Sequence, residues 1–149
     1  MNLSRMRARG VTAAALGALA ATTLTVADAG ASPAAAAAPQ KRQIASSVLG
    51  TDYRITLTAL RSTEDRYAAS VRLQVYKKVG GAWKESDRVT VGDVGGWFWY
   101  PLTGSGAVCQ FSTAGTEPAP LTVSLLLTPS LGCSEPAHYV VKQGRVYAD

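Results

Sequence analysis

From Tyr53 onward the chain is written in period two. Tyr53, Ile55, Leu57 and Ala59 alternate with Arg54, Thr56 and Thr58, which predicts a strand over about residues 52 to 60 with one buried face. Val71, Leu73 and Val75 alternate with Arg72, Gln74 and Tyr76 in a second strand, and Val89 and Val91 mark a third, preceded on the same parity by Trp83. Ser62 to Arg66 reads as a polar turn, and Gly92-Asp93-Val94-Gly95-Gly96 as a loop. Trp97-Phe98-Trp99-Tyr100 follows as a short aromatic strand stopped by Pro101. Ala107 to Ser112 is another strand, Thr113 to Pro120 a breaker region, and Leu121 to Leu127 the most apolar stretch, expected as a central strand ended by Pro129. Ala137 to Val141 and Arg145 to Tyr147 form a last hairpin around Gln143-Gly144.

About eight short strands with frequent turns, and no convincing helical period, predict an all-β fold: an antiparallel β-sandwich or a small barrel. One connection tests the details. A two-residue Gly80-Gly81 loop would set Val71, Leu73 and Val75 on the opposite face from Trp83, Val89 and Val91. Antiparallel neighbours share a face, so the parity predicts an odd loop, with Val79, Gly80 and Gly81 as its three residues.

The first residues follow a different pattern. Arg5, Arg7 and Arg9 open the chain, and Val11 to Ala27 then run without a charge, the layout of a secretory signal peptide. This run is too short and too rich in alanine and threonine for a retained membrane anchor. Small-x-small sites favour cleavage after Ala38, with Ala31 next, because Pro39-Gln40-Lys41-Arg42 reads as a polar tail of the released chain. The division is therefore residues 1–38 as signal peptide and 39–149 as a single secreted β domain. Neither a twin-arginine pair nor a lipid-accepting cysteine is present in the leader, so a secreted, extracellular protein without a stable membrane anchor is expected.

Composition narrows the chemistry. The net charge of +5 includes three arginines and Asp28 of the leader, and the remaining basic residues interleave with acids, so nucleic acid is not an expected partner. The chain holds two cysteines, Cys109 and Cys133, and an oxidising destination makes a structural disulfide between them the default. The single histidine, His138, lies beside Tyr139 without a nucleophile-elbow serine, and is read as a partly exposed loop residue. Glu64, Asp65, Glu85 and Asp87 lie in charge-matched stretches. No catalytic residues, metal ligands or cofactors are expected, and the domain reads as a non-enzyme.

The aromatic run is the remaining feature. On a strand Trp97 and Trp99 would face one way and Phe98 and Tyr100 the other, so one pair is expected outward. Trp97, Phe98, Trp99 and Tyr100 are therefore the candidate binding residues, for an extracellular glycan or protein partner. The alternative is that one pair fills the core and the other is covered by a loop. A second function class is a small secreted protease inhibitor presenting a disulfide-closed loop such as Thr113 to Pro120, although Ala114-Gly115-Thr116-Glu117 offers no clear anchoring residue. The alanine-rich leader and the glycine- and threonine-rich β domain resemble, in composition, the small secreted proteins of high-GC Gram-positive bacteria. That resemblance implies export and brings no functional residue with it.

Overall fold

The computed structural model describes residues 38–149, so the leader expected over 1–38 lies outside the described residues except for Ala38. Alternation is realised in two antiparallel sheets of five strands each. The first holds β1 (Lys41–Leu49), β2 (Tyr53–Arg61), β3 (Ala68–Val79) and β4 (Ala82–Val91) in sequential order, with the two-residue β5 (Trp97–Phe98) on β3. The second runs β10 (Arg145–Ala148), β9 (Ala137–Lys142), β7 (Ala119–Thr128), β6 (Val108–Thr113), with the short β8 (Gly132–Cys133) on β7. One helical turn, α1 (Trp99–Thr103), follows β5. The sheets form a sandwich and not a closed barrel.

Each strand supplies its apolar parity to one core. Ile55, Leu57 and Ala59 of β2, Ala69, Val71, Leu73 and Val75 of β3, and Leu121, Val123 and Leu125 of β7 are all but inaccessible to solvent. Tyr139, Val141 and Val146 close the second sheet over them. Side chains from two inner faces meeting in this way are what hold a sandwich together.

The β3–β4 hairpin corrects the expected loop. Val79 pairs with Ala82, so the connection is the two residues Gly80 and Gly81, both at positive φ (57° and 81°), the backbone that a tight hairpin turn demands. The parity change comes from a bulge instead: Tyr76 pairs with Glu85 but Val75 with Asp87, leaving Ser86 as the extra residue. Val71 and Leu73 thus do share a face with Val91 and Val89, as expected. Trp83 does not. It lies before the bulge, opposite Lys78, on the outer face.

Two elements depart from the sequence reading. Lys41 and Arg42, expected as part of a polar tail, begin the edge strand β1, for which the sequence reading had no element and which pairs along β2 with a bulge at Ile44. The aromatic segment is a strand only for Trp97 and Phe98; from Trp99 it turns into α1. Pro101 falls within this first helical turn, where its missing N–H has no partner to lose. His138 is on strand β9 and not in a loop, exposed, with Nδ1 3.4 Å from Thr122 Oγ1.

The expected bridge is present between Cys109 and Cys133, whose α-carbons are 6.2 Å apart. Cys109 occupies a bulge in β6, and Cys133 pairs with Leu126 on the other edge of β7. The disulfide therefore ties together the two strands that flank β7.

Candidate functional site

The segment Trp97 to Tyr100 is built from the tryptophans upward. Trp97 is 7% exposed and Trp99 9%, and both belong to the core. Trp97 Nε1 donates to the Val91 carbonyl at 2.7 Å, satisfying the polar atom of a buried indole. Gly92 gives the ring its room, since a β-carbon there would stand 3.3 Å from Trp97 Cζ2, on a backbone already at φ +66°. The Trp99 N–H donates to the Tyr67 carbonyl at 2.8 Å, which locks the start of α1 onto the β2–β3 loop.

With the tryptophans fixed below, the alternate residues face out. Phe98 is 45% exposed and Tyr100 57%. Tyr67, on the β2–β3 loop and 51% exposed, adds a third ring, its centroid 6.1 Å from that of Tyr100 in a tilted arrangement. Sequence reasoning missed Tyr67, because only the fold carries that loop to the aromatic turn.

Arginines frame the rings. Arg61 lies 5.7 Å from the ring centroids of both Trp99 and Tyr100. Its guanidinium donates to the Arg66 carbonyl (2.9 Å), to Gln40 Oε1 (2.8 Å) and to the Tyr100 hydroxyl (3.3 Å). Arg66 stacks 4.7 Å from the Tyr67 centroid and donates to its hydroxyl. Arg42 donates to the Thr103 carbonyl at 2.6 Å, fastening the end of α1 to β1. Tyr67 and Tyr100 are thus held by hydrogen bonds and cation–π contacts that fix their orientation before any partner arrives. On the far side of Tyr100 lies a groove of about 450 Å³ lined by Tyr100, Pro101, Gly104, Ser105, Leu126 and Pro129.

The four expected residues therefore divide into roles. Trp97 and Trp99 are the anchor, Phe98 and Tyr100 the outward pair. Cys109 and Cys133 are structural and stand on the second sheet. Of the Thr113 to Pro120 segment, expected as a breaker region, Thr113 ends β6 and Ala119 and Pro120 begin β7; the connection is residues 114–118, of which Gly115 to Pro118 are exposed, and Glu117 Oε2 accepts from the Gln143 N–H at 3.3 Å. Among the described residues no three His, Cys, Asp or Glu side chains are grouped to hold a metal ion, and no helix is long and apolar enough to cross a membrane. Comparison of the chain with protein-family models, with curated proteins and with solved structures finds no match.

Proposed function

We propose that this chain is an exported, non-enzymatic binding domain that holds a cell-wall glycan or an extracellular protein on the ridge formed by Phe98, Tyr100 and Tyr67. The observation that carries the reading is the division of labour within four consecutive residues. Two tryptophans fill the core while Phe98 and Tyr100 beside them are 45% and 57% exposed, and the exposed Tyr67 lies next to Tyr100. Exposed rings that lie together, as Tyr67 and Tyr100 do, mark interaction sites where scattered ones do not, and planar rings give contact area at low entropic cost. The Cys109–Cys133 bridge fits an oxidising destination.

The test is a screen of the purified protein against a glycan array and a panel of extracellular proteins, repeated with the Phe98→Ala/Tyr100→Ala double variant. Specific binding that is lost in the folded variant supports the ridge. Binding that the variant retains, or its complete absence with the native chain, contradicts it.

A further inference from the structure

The strands of the first sheet carry many more cations than carboxylates, and five of those cations share its outer face. Register assigns Lys41, Arg54, Arg72, Lys78 and Arg88 to the outer face of that sheet, together with a single carboxylate, Glu85. Glu85 is already engaged: it pairs with Arg88 and accepts from Gln74 Nε2 at 2.6 Å. Asp87, which regular pairing through the Gly80-Gly81 turn would place outside, is sent inward by the bulge at Ser86. There its carboxylate accepts from the Val146 N–H at 2.9 Å. Among the described residues no carboxylate lies within 4.0 Å of Lys41, Arg54, Arg72 or Lys78.

Between these cations the face is a rigid polar lattice. Thr58 Oγ1 donates to Gln74 Oε1 at 2.8 Å, and Gln74 Nε2 donates to the Tyr76 hydroxyl at 3.0 Å. A groove of about 340 Å³ crosses the strands here, with Lys41 and Arg72 among its walls beside the polar Gln43, Thr58 and Gln74, the ring of Tyr76 and one aliphatic side chain, Leu60. The outer face of the other sheet carries fewer cations, Lys142 and Arg145 at one edge, and Thr122, Ser124, Gln110, Ser112 and His138 occupy its centre.

We propose that this face is a second binding surface, independent of the aromatic ridge, and that its occupant is a linear polysaccharide bearing carboxylates. Guanidinium groups match carboxylates bidentately, and the intervening amides and hydroxyls suit sugar hydroxyls. A protein partner would want an apolar centre, and the one exposed large apolar residue of this face is Val48, at its edge. Single-stranded nucleic acid would want free rings for its bases. Trp83 is not free, since Arg54 lies 4.6 Å and Lys78 5.8 Å from its centroid, and the Tyr76 hydroxyl is held by Gln74.

The experiment is titration of the full purified chain with polygalacturonate, with neutral dextran and with single-stranded DNA, at low and at raised salt. Polygalacturonate is expected to bind, more weakly as salt screens the charges, and dextran not to bind. Arg72→Gln and Lys78→Gln should each weaken binding ~2- to 5-fold, the worth of an exposed charge pair, at unchanged melting temperature. Lys41→Glu, at the exposed start of β1, should weaken it further. The Phe98→Ala/Tyr100→Ala variant should bind as the native chain does, which separates failure here from failure of the ridge. No binding of polygalacturonate overturns the proposal, as does equal binding of dextran or DNA, or binding lost in the ring variant but kept in the charge variants.

Discussion

A carboxylate aimed at the inside of a sandwich is costly unless donors meet its oxygens. Asp87 has two: the Arg88 N–H on Oδ1 and the Val146 N–H on Oδ2, each at 2.9 Å. The second bond crosses from β4 to the free edge of β10, so one residue seals a seam between the sheets. Asp87→Ala is expected to cost ~1–3 kcal/mol, the penalty of an orphaned buried donor, read as a lower urea midpoint at unchanged slope. Tyr139 offers a pH handle. Its burial pushes the phenol above its usual value of 10.0. The folded state therefore resists ionisation: the stability is fully present below that usual value and is lost as pH rises through the raised one. Tyr139→Phe should flatten part of the alkaline fall in an unfolding series, and an unchanged fall would contradict this origin.

At the scale of elements, alternation in the sequence was enough to locate most strands, because each buried face repeats Val, Leu, Ile or Ala at every second position. What stayed hidden has physical causes. β1 reads Lys-Arg-Gln-Ile-Ala-Ser-Ser-Val-Leu, an exposed edge whose period is broken by its own bulge. The turn at α1 was masked by Pro101, which stops a strand and begins a helix equally well. The Ser86 bulge and a three-residue loop correct parity in the same way, so alternation alone could not choose between them. Because Ser86 is the extra residue, deleting it should keep every side chain on its face. The cost should be about that of the one hydrogen bond its hydroxyl donates, shared between the Val75 and Gly144 carbonyls, or ~0.5–1.5 kcal/mol. Inserting one residue between Arg88 and Val89 should instead turn Val89 and Val91 outward and cost ~1.5–3 kcal/mol per valine. Thermal unfolding of the two variants distinguishes these outcomes. The disulfide acts at the same scale: closing a loop with sequence separation 24 should contribute roughly 3.5 kcal/mol on the chain-entropy model. Cys109→Ser/Cys133→Ser should lower the urea midpoint accordingly.

Over the whole molecule, apolar parity builds the core, and what the core does not need is distributed unequally outside. Cations gather on the outer face of the first sheet and exposed rings at the aromatic turn. The candidate site was half legible: the run Trp97 to Tyr100 announced itself by composition, and two-fold alternation anticipated its division into two pairs. Tyr67, Arg61 and Arg66 did not, because their meeting with the run depends on the β2–β3 loop packing beside α1. The four aromatic residues do two different jobs, and the thermal unfolding of two double variants separates them. Trp97→Ala/Trp99→Ala empties core volume and should cost ~3–5 kcal/mol per ring, enough to unfold a domain of marginal stability. Phe98→Ala/Tyr100→Ala should melt within a few degrees of the native chain, its loss confined to exposed contacts such as that of Tyr100 with Arg61. If both variants collapse alike, all four rings are structural and the ridge is not a binding surface.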